Sequence, residues 1–595
     1  MREPNRRPEP GSGMDQLILF LFGGGVILAV MGLYWCLQAT STAEGINAEV
    51  RDNPFKTLFA LGSGTLVWPA SATGILVAAV AVLIGVVVAI VLLRRQVRRS
   101  SKRLSVDAKA RSMGQGRDLD AYCDPKTLAQ KARELGSDWT GVVVGKTVVG
   151  NRLFLSGLEE CSVDIWGPRS GKTTSRCIPA IVDAPGAVVA TSNKRDLVDA
   201  TRDLRSEKGT VWVFDPQQIA QEECTWWWNP LNFIVPPRDA PNYADAVASA
   251  DIRAAKLAGH FATGARTDGD RGDAYFEPSG EVLIAALLLA AALEQRPITD
   301  CYQWSTQGSI PEVVDALRRH GQITAAHTLA GFDNAAPEER SGLFGTARKM
   351  LACLRFASTR TWITGAGPYD ARPRLDPHAF VRSTDTLYSL SMEGAGTASP
   401  LVTALTAEVA EAAQVYSSTQ YRNRLPVPLL FVIDEAANVC LWRDLPNVYS
   451  HFGSRGILLM TILQSWSQGV EVWGRSGMQK LWDAASVKVY GGGKADPGFL
   501  RDLAELIGDH DRVTRTVNTS AQGRSVSTQL HRERIMEASH LNALPRGRAI
   551  VLASGAPSTM VRTIPWTATS HKDAIVASIK AHDPGATKTL AEAGA

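Results

Sequence analysis

The chain has 595 residues, 45% of them hydrophobic and 21% charged, which excludes a mostly disordered chain, a collagen and a coiled-coil rod. Eight scattered cysteines with no C-x-x-C pair, and ten histidines without metal-ligand spacing, point to neither a disulfide scaffold nor a zinc module. The net charge of +4 is uneven: residues 94–117 carry +8, residues 1–93 carry −1 and the rest −3, so any contact with DNA is local or confined to a channel.

Residues 17–37 and 70–93 contain no charged side chain, and each is long enough for the ~20 residues that cross a bilayer core. A cleaved signal sequence competes for the first stretch and a buried core helix for the second. The basic run comes directly after the second stretch, as cytoplasmic flanks do. The expectation is a cytoplasmic tail (1–15), a two-helix membrane anchor (16–93) with its loop outside, and a basic juxtamembrane linker (94–137). The linker reads as a topology signal or a contact with lipid headgroups.

After a helix-prone segment (118–137), Val142–Gly145 and Arg152–Ser156 read as short strands. Residues 162–165 then form an apolar strand running into Gly167-Pro168-Arg169-Ser170-Gly171-Lys172-Thr173-Thr174. This is the logic of a phosphate-binding loop: turn amides cradle phosphates, Lys172 reaches the outer phosphate oxygens and the Thr173 hydroxyl takes Mg²⁺. The full pattern places its first glycine on Trp166, and the chain has Gly167 instead. An ordinary Gly-Lys turn is the competing reading.

Residues 187–191 and 210–214 read as further strands. From 241 to 365 the pattern is helical. Tyr243–Leu257, Pro278–Leu293 and Pro337–Phe356 are helices, and Ser309-Ile310-Pro311-Glu312 is a capping box opening another to about Arg319. Pro278–Leu293 is too short to be a membrane span, is preceded by Glu277 and contains Glu281. The sheet resumes at Thr386–Leu390, and a helix over Pro400–Tyr416 comes next.

Residues 428–435 are a buried strand ending in Asp434 and Glu435, where the first carboxylate helps hold Mg²⁺ and the second polarises water as general base. The strand 456–464 ends in Gln464, a candidate sensor of the terminal phosphate at the carboxyl edge where open α/β sheets bind ligands. Ser486–Tyr490 and Ala549–Ala553 are two more strands. Residues 509–534 read as a surface hairpin or loop, and 571–595 as a flexible tail. The fold class is α/β: a RecA-like P-loop NTPase domain (138–240 and 366–570) interrupted by an all-α domain (241–365) and preceded by two transmembrane helices.

With these pieces in place the chain resembles the TraG/TraD-type coupling proteins of conjugative type IV secretion. The resemblance is carried in order by Gly167 to Thr173, Asn193-Lys194-Arg195-Asp196, Phe214-Asp215-Pro216, Trp228-Asn229-Pro230-Leu231, Ile433 to Asn438, Leu463-Gln464-Ser465 with Gln468, and Leu544-Pro545-Arg546-Gly547. It implies an ATP- and Mg²⁺-dependent motor at the inner membrane, assembled as a homo-hexamer. Its partners would be single-stranded DNA with bound relaxase, the secretion channel proteins and membrane lipids. The helical domain would recognise substrate. Arg455, before the strand that ends in Gln464, stands near the family's trans-acting arginine and is expected to reach a neighbour's nucleotide. Protein-only secretion, a receptor with a degenerate loop and a chromosome-segregating pump are the competing functions.

Overall fold

The structure is a computed structural model. It describes residues 105–594 except 241–242, 266–274, 309, 368, 395, 494–495 and 521–522, and only scattered positions between 59 and 88 before that. The first expected membrane span lies outside the described residues, and of the second only scattered helical positions between 77 and 88 are described. The chain divides into two units after Ser105, and the second, Val106–Ala595, holds every element named below.

Its strands, in chain order, are β1 (Val142–Thr147), β2 (Leu153–Ser156), β3 (Ser162–Ile165), β4 (Val188–Ser192), β5 (Val211–Phe214), β6 (Thr386–Leu390), β7 (Leu429–Ile433), β8 (Ile457–Leu463), β9 (Val487–Tyr490), β10 (Asp509–Ser520), β11 (Gly523–Arg534), β12 (Arg548–Ala553) and β13 (Ala556–Arg562). All but β10 and β11 form an 11-stranded sheet of order β2-β1-β13-β12-β9-β3-β8-β7-β4-β6-β5. From β9 to β5 all pairings are parallel; from β12 outward they are antiparallel.

The parallel strands are unbroken apolar runs because both faces are covered. In β7, Leu429, Phe431 and Ile433 enter one core, and Leu430 and Val432 the opposite one. The second core also takes Ile178 and Ile181, from the helix just after the phosphate-binding loop. A third cluster lies under the antiparallel wing, where Tyr122 stacks on Phe154 at 5.0 Å between ring centres.

Between β5 and β6 the described residues from Tyr243 to Ile363 form helices and no strand. Their centre is Phe276–Leu293, long and apolar enough to cross a membrane by composition. Eleven of its residues, from Gly280 to Leu293, are buried within this unit. Gly280 lets the neighbouring helix close in: a Cβ there would meet Thr346 Cγ2 at 2.8 Å. The expected capping box rests on Ser309, which lies outside the described residues. The helix opens at Pro311, and the Glu312 carboxylate accepts the Nε1–H of Trp304.

Three further elements differ from or sharpen the expectation. Residues 509–534 are a hairpin, β10 against β11. Strand β13 is additional, joined to β12 by a tight turn at Gly555, whose φ of 76° suits a glycine. The expected flexible tail is instead helical over Lys572–His582 and Ala586–Ala593. It is tied down because Ile575 and Ile579 are buried, Ser578 Oγ donates to the Asp199 carbonyl at 2.6 Å, and His582 pairs with Asp203 at 2.7 Å. Small polar residues at a chain end concealed an apolar i, i+4 pair.

Candidate nucleotide site

The strand order places the site. β3 delivers the loop, β7 the carboxylates, and β8 lies between them carrying Gln464 at the same edge. Beyond β3, the Trp166 N–H donates to the Leu463 carbonyl at 2.8 Å and the Gly167 N–H to the Gly492 carbonyl at 2.9 Å. Trp166, in the place of the usual first glycine, is 1% exposed. The tract Gly491-Gly492-Gly493 after β9 makes room for it: a Cβ at Gly491 would sit 2.0 Å from Trp166 Cε2, and one at Gly493 2.6 Å from Gly167 Cα. The shifted glycine is thus a repacking in which the ring takes up the space Gly491 leaves open, while Gly493 admits the Gly167 backbone.

Within the loop, Arg169 has φ 58° and Gly171 φ 94°, left-handed conformations of the kind anion-binding nests are built from. The N–H groups of Arg169, Ser170, Gly171 and Lys172 find no acceptor among the described residues. The Ser170 hydroxyl and the Thr174 hydroxyl brace the loop through the carbonyls of Gly167 and Gly171. Thr173 opens a π-helical turn, Thr173–Cys177, that continues into Ile178–Asp183. Beneath the loop Arg176 and Asp164 form an ion pair with both side chains fully buried, Nε to Oδ2 2.7 Å. Arg176 also donates to the Val143 carbonyl.

Lys172 is buried between the two carboxylates of β7: its Nζ lies 3.1 Å from Asp434 Oδ1 and donates to Glu435 Oε1. The Gln464 amide donates to the other oxygen, Glu435 Oε2. Glu435 has φ 55° and ψ 46°, a left-handed conformation rare for a residue with a side chain and typical of functional sites. Burial pushes the Asp434 carboxyl up to about 6, against the pull of Lys172 and with that of Glu435. Burial alone would lower the Lys172 ammonium, but the two carboxylates outweigh it and hold the group above its usual range. Lys172, Asp434, Glu435 and Gln464 therefore converge.

Arg455 does not join them. It precedes β8, at the opposite end of that strand from Gln464, with its guanidinium 3.4 Å from Ser417 Oγ.

Sequence reasoning passed over three contributors. Asp196 comes after β4. Burial raises its carboxyl against the pull of Lys194, its N–H bond from Leu197, and Lys172, which places it in the field of the same cluster. The glycine tract 491–493 and the Arg176–Asp164 pair are the others. The consecutive glycines left a signal that could have been read, and Asp196 stood in the motif Asn193–Asp196 without a site role.

The residues fit a magnesium nucleotide. Four unpaired loop amides and Lys172 suit a polyphosphate. Thr173 and Asp434 supply hard oxygen donors of the kind Mg²⁺ takes. Fold and site are those of a P-loop NTPase fold, with a glutamate and a glutamine from the ends of adjacent strands.

Residues 428–546 match the family described as the TraM recognition site of TraD and TraG. In structure the chain is similar to the bacterial conjugative coupling protein TrwBdeltaN70 in its unbound form, with a TM-score of 0.50, 17% identity, 73% of this chain and 91% of that chain covered. It is equally similar to the plasmid coupling protein TrwB in complex with the GTP analogue GDPNP, with a TM-score of 0.50, 17% identity, and 73% and 92% covered. At that identity the structural likeness shows the fold. No curated protein sequence matches the chain. Over residues 428–546 the chain thus matches a family of TraD and TraG proteins, in line with the resemblance the motifs carry.

Proposed function

We propose that the protein is a type IV secretion coupling ATPase that recruits a relaxase–DNA complex and drives single-stranded DNA into the conjugation channel. It acts as a hexamer anchored in the plasma membrane by the two apolar segments 17–37 and 70–93, with its bulk in the cytoplasm. The observation that carries this reading is the convergence of Lys172, Asp434, Glu435 and Gln464 at one edge of the sheet.

The loop amides and Lys172 bind and orient the phosphates, with Lys172 exchanging its carboxylate partners for phosphate oxygens. Thr173 and Asp434 would hold Mg²⁺, which draws off phosphate charge when bound. Release from Lys172 frees Glu435 to accept a proton from the attacking water, and its left-handed backbone fixes the side chain's approach. Gln464, bonded to Glu435, couples the position of that base to the outer phosphate. Positioning and electrostatics carry most of phosphoryl transfer. Arg455 would complete a neighbour's site in the ring. It cannot reach its own, being at the far end of β8. GDPNP binding by the similar TrwB supports a nucleotide as ligand.

The test is ATP hydrolysis by the full-length protein in detergent, with and without single-stranded DNA, beside Lys172→Ala. Hydrolysis that depends on Lys172 and rises with DNA is expected. Hydrolysis indifferent to DNA would favour a protein-only secretion ATPase.

A further inference from the structure

The loop after the short helix Ala538–Asn542 runs Leu544-Pro545-Arg546-Gly547 into β12. Two contacts press it onto the nucleotide site. Tyr490, ending β9, donates its hydroxyl to the Leu541 carbonyl at 3.2 Å. The Leu544 carbonyl lies 3.0 Å from where a Cβ on Gly492 would stand, and Gly492 in turn holds Gly167 by its carbonyl. The same close approach brings Arg546 over the phosphate-binding loop, its Nε 3.6 Å from the position of a Cβ on Gly171.

Two arginines of the neighbouring elements are committed elsewhere. Arg548 forms a two-pronged pair with Asp107 at 2.7 and 2.8 Å, and Arg176 is spent on Asp164. Arg546 is exposed and has no carboxylate partner among the described residues. An unpaired guanidinium therefore stands beside a loop with four unpaired amides. A planar fork of N–H donors is suited to bidentate phosphate binding.

The geometry points to Arg546 as a nucleotide-contacting residue supplied by the chain's own C-terminal strand loop, which binds the phosphate chain in cis. This rests on the nucleotide-site reading above and adds a cation that the loop, the carboxylate strand and Gln464 do not include. The contact would also make the 544–547 loop report on occupancy, because nucleotide would draw Arg546 down and with it the backbone leading into β12.

The experiment measures the affinity of full-length protein in detergent for a fluorescent ATP analogue, and its displacement by ATP, GTP and inorganic tripolyphosphate. The variants are Arg546→Ala, Arg546→Lys and Lys172→Ala. Loss of one charge-assisted bidentate contact should weaken all three displacing ligands alike, by roughly 10- to 100-fold in Arg546→Ala. Arg546→Lys should recover part of that, since charge returns without the fork. The residue is exposed, so its thermal unfolding should match the wild type. Unchanged affinity in Arg546→Ala beside lost binding in Lys172→Ala would overturn the contact alone. A loss for ATP and GTP that spares tripolyphosphate would overturn it by moving the arginine to base or sugar. Retained binding in Lys172→Ala would overturn the nucleotide-site reading and this one with it.

Discussion

Gly491→Ala tests how Trp166 is accommodated at the mouth of the phosphate-binding loop. The added Cβ would lie 2.0, 2.1 and 2.3 Å from Trp166 Cε2, Cδ2 and Nε1, all atoms of a rigid ring. Neither side can yield easily. The ring is 1% exposed and packs with Val144, Phe154 and Val489. The Gly491 N–H is bonded to the Ile165 carbonyl at 3.0 Å. Overpacking costs ~1–3 kcal/mol, and a clash with fixed atoms on both sides belongs at the upper end. Trp166→Ala alone should cost ~3–5 kcal/mol through the cavity it leaves. In the double variant the new methyl enters that cavity, so the glycine substitution should add nothing further, a coupling of ~2–3 kcal/mol. Denaturant midpoints of the full-length protein, read with ATP affinity, measure both effects. The single variant should lose affinity because Gly167 moves with Trp166. Wild-type stability and affinity in Gly491→Ala, or plainly additive losses in the double variant, would refute the reasoning.

Two further substitutions probe buried charge. Arg176→Met strands the Asp164 carboxylate, whose side chain is fully buried, and should destabilise by ~3–5 kcal/mol; Arg176→Met with Asp164→Leu should recover most of it, and an equally unstable double variant would contradict this. Glu408 is buried in the helix Ser399–Ser418, accepts the Trp228 Nε1–H at 2.8 Å, and burial pushes its carboxyl up to about 8. Its folded value lies above the unfolded one, so its contribution to stability is full below about 4.5 and is lost as pH rises through about 8. Glu408→Gln should flatten the stability profile between those limits and be the more stable form above pH 8; a profile that keeps the wild-type slope would exclude Glu408 as its source.

How much could be read from the sequence depends on the physics of each element. The parallel strands were legible because burial on both faces leaves an apolar run with no competing pattern, as in Leu429–Ile433 and Ile457–Leu463. Asp434, Glu435 and Gln464 were legible because each stands at the carboxyl end of such a run, and Lys172 because it closes a glycine-rich turn after one. Strand β13 was obscured by the polar Ser558 and Thr559 and the proline at 557 within it. The C-terminal helices were obscured because their apolar contacts with the helix Asp196–Ser206 are far apart in sequence. The match of Trp166 to Gly491 joins positions over three hundred residues apart, and the reach of Arg546 to Gly171 depends on that same packing. Neither leaves a local signature.

Under the proposed function the Lys172–Asp434–Glu435–Gln464 cluster carries out the hydrolysis of ATP that moves DNA. The most direct measurement is the rate of ATP hydrolysis by full-length protein in detergent across a titration of single-stranded DNA, with Lys172→Ala and Glu435→Gln in parallel. The assignment predicts a DNA-stimulated rate in the wild type, no ATP binding in Lys172→Ala, and ATP bound but not hydrolysed in Glu435→Gln. Hydrolysis that persists in Glu435→Gln, or a wild-type protein that binds no ATP, would contradict it.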